Sequence, residues 1–148
     1  MEKTLVIIKP DGIEKGLIGE VLGRIKKNGL KISKKMRKSL SKGECETLYE
    51  HAKAKYPKIY SSLISYMTRG PVILMEIEGE RAIERMIELR GPSDPSKAPF
   101  GTVRGDFSRE QSMKEFYKRG KAIENIMHSS QNQEEAEFEI GLFFKNEA

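Results

Sequence analysis

Thr4-Leu5-Val6-Ile7-Ile8-Lys9-Pro10-Asp11-Gly12 decides how this chain folds. Its four consecutive apolar residues, three of them β-branched, are too short a run for a helix. They read as a strand buried on both faces. Pro10 and Gly12 stop that strand and turn the chain. Lys9 is thereby set at a strand end beside a core, as an exposed edge lysine or as a cation at the rim of a site.

Working outward, Leu17, Ile18, Val21, Leu22 and Ile25 repeat at helical spacing, and Asn28-Gly29 ends that helix. Leu30, Ile32 and Met36 mark a second strand, with Lys34, Lys35, Arg37 and Lys38 on a basic outer face. Ser41-Lys42-Gly43-Glu44 has the form of a capping box and opens a helix through Leu48, Tyr49 and Ala52. Pro57 breaks the path, and Tyr60, Leu63, Ile64 and Met67 form a new helical stripe that Gly70-Pro71 stops. Val72 to Ile77 is a third strand; Ala82, Ile83, Met86, Ile87 and Arg90 follow on a helix ending at Gly91-Pro92. A loop rich in Pro, Ser and Gly runs from Gly91 to Gly101, a length that is often functional inside a compact domain. Ser108-Arg109-Glu110-Gln111 again has capping-box form and predicts a polar helix up to Gly120. Ile123 to His128 leads into a short fourth strand, and Asn132-Gln133-Glu134-Glu135 caps a last helix whose Ala136, Ile140, Leu142 and Phe143 face inward.

The order β-α-β-α-α-β-α-β-α contains two βαβ halves. It predicts an α/β (α+β) chain of ferredoxin-like sandwich form, with a four-stranded antiparallel sheet and helices packed over it. The 148 residues make a single domain, residues 1–148, with no linker or internal repeat.

The longest apolar runs, Leu5 to Ile8 and Val72 to Met75, are far too short to span a bilayer, and Met1-Glu2-Lys3 does not open a signal peptide. A single cysteine, Cys45, has no internal disulfide partner and fits a reducing cytoplasm. The net charge of +5 asks for an anionic partner, and nucleic acid, nucleotide phosphates and plain solubility all fit it. The first and third strands carry no aromatic stacking residues, so nucleic acid is not expected as the main partner. The glycines at 12, 16 and 19 lack dinucleotide-fingerprint spacing, and there is no Walker A motif.

Asn125-Ile126-Met127-His128-Ser129-Ser130 places one histidine at the end of a short apolar run, followed by two hydroxyls. Glu139 lies on the amphipathic segment behind it. An imidazole is a good nucleophile when one nitrogen is free and the other is held by an acceptor. On this pattern alone a structural histidine is the better reading.

Four pieces taken together are more specific. Ile8-Lys9-Pro10-Asp11-Gly12, Gly101-Thr102-Val103-Arg104-Gly105-Asp106, Asn125 to Ser130, and Ala136-Glu137-Phe138-Glu139-Ile140-Gly141-Leu142-Phe143-Phe144 closely resemble the nucleoside diphosphate kinase family, in order, from Thr4 to Phe144. The resemblance implies that the γ-phosphate of ATP moves to His128 and then to a nucleoside diphosphate, a ping-pong mechanism through phosphohistidine. It implies that Glu139 holds the far side of the ring and that Ser130 supports the pair. Lys9 would meet phosphates and sugar, Asn125 the sugar hydroxyl, and Arg104 and Ser93 phosphate oxygens. Mg2+ would be held mainly by the nucleotide phosphates, with no metal ligand from the protein. A homo-oligomer built from dimers, tetramer or hexamer, is implied as well.

The chain departs from the family pattern in several places. Ser93 stands where the family has Thr, and Ser129-Ser130-Gln131 where it has Gly or Ala, Ser, Asp. A phosphate-binding arginine of the family aligns with Ile87; Arg90, about 60° round the helix, is expected to replace it. A tyrosine near the family's site aligns with His51, with Tyr49 nearby. The base-stacking phenylalanine aligns with Ile59, and the neighbouring Tyr60 is taken as the base contact. Ser108 to Ala122 is longer than in the common pattern and is expected near the nucleotide entrance; the chain also stops at Ala148 without the usual C-terminal tail.

Overall fold

The computed structural model describes residues 1–144. Its strands are β1 (Glu2–Ile8), β2 (Lys31–Lys38), β3 (Val72–Gly79) and β4 (Met127–Ser129). Its helices are α1 (Pro10–Glu14), α2 (Ile18–Lys27), α3 (Lys42–Leu48), α4 (Glu50–Lys55), α5 (Tyr60–Thr68), α6 (Ala82–Arg90), α7 (Val103–Phe107), α8 (Met113–Lys118) and α9 (Gln133–Phe144), with a 3-10 turn at Pro95–Lys97. The sheet runs β2-β3-β1-β4 with every pairing antiparallel, so β3 and β1 are the two central strands. Among the described residues no helix is long and apolar enough to cross a membrane.

Both faces of the sheet are covered, which is why β1 and β3 read as nearly unbroken apolar runs. Val6, Ile8, Ile73, Met75 and Ile77 pack on one face against Val21, Ile25, Met86 and Leu89 of α2 and α6. Leu5, Ile7, Val72 and Leu74 pack on the other against Cys45, Leu48, Ile64, Met67 and Phe144 of α3, α5 and α9. Cross-strand partners share a face. Ile7 opposite His128 therefore turns the imidazole toward the α3–α5 side, and Val6 opposite Ser129 turns that hydroxyl toward α6.

Several local expectations need correction. Ile32 and Met36 do not share a face. A register shift between Ile32 and Lys34 puts an extra residue, Ser33, into the strand, so Ile32 joins one core and Met36 the other. The helix opened by Ser41 has its reciprocal cap with Glu44 but ends at Leu48, and Glu50–Lys55 forms a separate turn of helix. Ser108 does not cap a helix start, because it ends α7 and its hydroxyl donates to the Arg104 carbonyl at 3.0 Å. The start of the later helix is capped by Ser112, whose Oγ accepts from Glu115 N. In α9, Ala136 and Phe144 are buried, while Ile140, Leu142 and Phe143 are only partly so. The Asn132 cap forms as its sequence suggests, its Oδ1 accepting from Glu135 N at 2.9 Å.

Candidate active site

Pro10 at the first helical position and Asp11 in the first turn start α1 directly after β1, so the chain needs no loop there. That short helix aims Lys9 and Asp11 at the residues before β4. Lys9 N donates to Ile126 O at 2.7 Å, and Asp11 Oδ2 accepts from Ile126 N at 3.0 Å. Tyr66 donates its hydroxyl to the other Asp11 oxygen. Between these clamps Ile126 has φ +77°, and Met127 N closes a three-residue γ-turn onto Asn125 O at 2.9 Å. A β-branched residue there stores on the order of 1–3 kcal/mol of strain, which the clamps hold. Gly12 is required beside it, since a Cβ would lie 3.0 Å from Ile126 O.

The turn delivers His128 onto the sheet face shared with Tyr49 and α9. Its Nε2 lies 2.8 Å from Glu139 Oε1, and Ser130 Oγ donates to that same oxygen at 2.7 Å. A carboxylate only accepts, so Nε2 carries the proton and Nδ1 keeps its lone pair. Leu5 N donates to Ser130 Oγ at 3.3 Å, tying this relay to β1. The His128 side chain retains 18% exposure, enough for one group to reach it, while Glu139 retains 6%. Tyr49, not His51, packs edge-on against the imidazole, with centroids 6.5 Å apart; His51 is exposed on α4. The Tyr49 hydroxyl is buried and, among the described residues, lacks a hydrogen-bond partner.

Three buried cations surround the γ-turn. Lys9 Nζ donates to Asn125 Oδ1 at 2.8 Å, and Asn125 Nδ2 donates to Ser93 O at 3.0 Å. Arg104 donates to the carbonyls of Asn125 at 3.1 Å, Gly91 at 2.9 Å and Met127 at 2.5 Å. Arg90 donates to Ser129 Oγ at 2.7 Å, Gly91 O at 2.8 Å and Gln131 Oε1 at 2.6 Å. Burial, then the Arg104 charge, pushes Lys9 down to about 7. Burial, then Arg90, holds Arg104 below the usual guanidinium range. Such a cluster favours an anion. Each guanidinium has five N–H groups and spends three on the protein, leaving two. Gly91 must be glycine to serve both: its φ is +90° and a Cβ would meet Thr102 Oγ1 at 2.8 Å.

Lys9, Asn125 and Ser93 also form the polar end of a cavity of about 260 Å³. Its apolar walls come from Tyr56, Ile59 and Leu63 on one side and Met113, Tyr117 and Ile123 on the other. Ile59 precedes α5 and faces the cavity. Tyr60 starts the helix and packs instead with the core under α3 and α5, outside the cavity lining. The long Ser108–Ala122 segment forms the second wall. It is fastened by Met113 N to Asp94 Oδ1 at 3.3 Å and by Ala122 N to Ser62 Oγ at 3.0 Å. Nothing in the sequence pattern marked Tyr117, which the folded position of α8 brings here; Tyr49, named only as a neighbour of the aligned His51, arrives at the junction of α3 and α4. A larger hollow between α2 and α6 lies away from the histidine, and its Arg24 is already paired with Glu20 and Asp106.

A family model described as nucleoside diphosphate kinase matches residues 2–148. The nucleoside diphosphate kinase of Sulfurisphaera tokodaii is 39% identical over 147 residues, which cover 99% of this chain and 91% of that protein. Among solved structures, an NDP kinase from Pyrobaculum aerophilum has a TM-score of 0.89 at 34% identity, covering 99% of this chain and 97% of that one. A transition-state mimic of the Borrelia burgdorferi enzyme with bound vanadate and ADP has a TM-score of 0.93 at 34% identity, covering 99% and 88%.

Proposed function

Since the chain belongs to the nucleoside diphosphate kinase family, we propose that His128 Nδ1 takes the γ-phosphate of ATP and passes it to a nucleoside diphosphate bound in the same place. One observation carries this reading above the others. The Nε2 proton is committed to Glu139 at 2.8 Å, so the opposite nitrogen is a free nucleophile that needs no base. As Nδ1 attacks, the ring becomes cationic, and Glu139, steadied by Ser130, stabilises that charge.

Phosphoryl transfer passes through a loose, charge-spread transition state, so fixed cations supply most of the catalysis. Lys9 and the spare N–H groups of Arg104 would bind phosphate oxygens, Lys9 and Asn125 the sugar hydroxyls, and the Ser93 hydroxyl a further oxygen. Arg90 is spent on the other face of β4, where it donates to Ser129 and Gln131. The unpartnered Tyr49 hydroxyl would donate to a phosphate oxygen beside His128. The base would lie in the cavity between Ile59 and Tyr117, stacked but not read, which favours broad base tolerance. This replaces Tyr60 as the base contact.

The donor set suits a phosphate chain that brings its own Mg2+. Asp11 and Glu139 are spent on protein donors, and among the described residues no three His, Cys, Asp or Glu are grouped to hold an ion. Mg2+ entering with the nucleotide would neutralise charge on the transferring group. The same reading takes residues 1–148 as a single cytoplasmic domain and the protein as a homo-oligomer of dimers, tetramer or hexamer, which light scattering would size.

Incubation with terminally labelled ATP alone tests the reaction. Label should bind covalently, leave in acid, survive base and pass to any added diphosphate. It should vanish in His128→Gln, and initial rates should give parallel double-reciprocal lines. Acid-stable label, or label on the His128 variant, would overturn the reading.

A further inference from the structure

We propose that Arg90 is a positioning residue for His128, acting through Ser129 and Gln131 from the face of β4 opposite the imidazole. This rests on the phosphohistidine reading above. Strand parity supplies the first argument. His128 pairs with Ile7 and faces Tyr49, whereas Ser129 pairs with Val6 and faces α6, where Arg90 ends the helix. Arg90 is 6% exposed, and its shortest hydrogen bonds are to the two side chains that bracket Ser130.

The second argument is the node at Gly91. Its carbonyl accepts from Arg90 at 2.8 Å and from Arg104 at 2.9 Å. Arg104 holds the backbone at Asn125 and Met127; Arg90 holds the side chains at Ser129 and Gln131. Together they brace the whole segment on either side of His128 from one fixed oxygen. Gln131 and Ser129 are the departures from the common family pattern noted above, and so is Arg90 itself. The three belong together: an acidic or side-chain-free residue at these places would offer a guanidinium different partners. Loss of the brace would let the ring drift from Glu139, and a displacement near 1 Å costs roughly a hundredfold in rate.

The test uses Arg90→Met, Arg90→Lys, Ser129→Ala and Gln131→Leu, alone and as the Arg90→Met/Gln131→Leu pair. Single-turnover labelling of the protein by ATP gives the transfer rate, and calorimetry gives the Kd for ADP. Imidazole 15N shifts report the tautomer of His128, which is readily assigned because the chain has only two histidines. We expect Arg90→Met and Gln131→Leu each to slow labelling roughly tenfold or more with the ADP Kd within about twofold. We expect the pair to be no worse than the single change, Lys to rescue in part, and the Nε2–H population to fall. A rise in ADP Kd that matches the rate loss would make Arg90 a phosphate ligand and overturn the proposal. Unaltered labelling in both Ser129→Ala and Gln131→Leu would also overturn it, and these two decide the matter if Arg90→Met does not fold. Absence of label in the unsubstituted protein would instead refute the phosphohistidine reading.

Discussion

Asp11 and Ile126, more than a hundred positions apart in sequence, are joined by a 3.0 Å hydrogen bond from the Ile126 N–H to the Asp11 carboxylate, which keeps a strained turn two residues before His128. Asp11→Ala removes the acceptor of both that N–H and the Tyr66 hydroxyl. Leaving buried donors unmet costs about 1–3 kcal/mol each. Denaturant unfolding should show a loss of about 2–6 kcal/mol for the two donors together, and labelling of His128 should slow with it. Tyr66→Phe removes only one of the donors, so it should cost less stability and leave the turn, and the labelling rate, close to those of the parent.

Lys9 makes nucleotide binding pH-dependent. Its value in the empty protein is about 7, against an ordinary 10.5, because burial and Arg104 disfavour its charge. A bound phosphate restores the charged form, so binding above pH 7 takes up a proton. ADP affinity should fall as pH rises through 7 to 9, and calorimetry in buffers of different ionisation enthalpy should reveal the uptake. Stability of the empty protein runs the other way. The unfolded chain binds the extra proton between about 7 and 10.5, so stability rises with pH across that window. A flat binding profile would show that Lys9 stays charged throughout.

Glu139→Gln keeps an acceptor for the His128 N–H and removes the countercharge. Phosphohistidine should still form, on the order of a hundredfold more slowly. Ser130→Ala leaves the charge and removes the 2.7 Å support, so its effect should be smaller. Rapid-quench labelling separates the three proteins by rate.

Tyr117 and Ile59 wall the cavity while Tyr60 does not. Tyr117→Ala should weaken ADP binding by roughly fivefold, the value of about one stacking kcal/mol, with the transfer rate preserved. Tyr60→Ala should leave the ADP Kd unchanged. The opposite pattern would return the base contact to α5.

The parts legible in the sequence were those governed by local rules. β1, β3 and the Ser41 cap follow from apolar period and turn residues, and the four-stranded antiparallel ferredoxin-like sheet forms as they imply. What escaped the sequence was set by distant contacts. Ser108 has Gln111 and Ser112 has Glu115 at capping-box spacing, and only the carbonyl of Arg104 decides that Ser108 donates instead of capping. One inserted residue at Ser33 reverses the parity of β2, which no alternation count detects. Arg90 has the residue type of a phosphate ligand, but strand parity gives it other partners. Tyr49 stands two positions from the residue an ungapped count selects.

The central place of β1 has a consequence for biosynthesis. Lys9 meets Asn125 across 116 positions, and Val6 pairs with Ser129 at the far end of the chain. Loop closure over such distances must precede any reward from the contacts, which makes them late events in folding. A nascent chain therefore carries Lys9, Arg90 and Arg104 before it holds a site, since β4 and Glu139 leave the ribosome after all three. Capacity to take phosphate should appear abruptly, once β4 and α9 have emerged, and incorporated label would then serve as a reporter of completed folding.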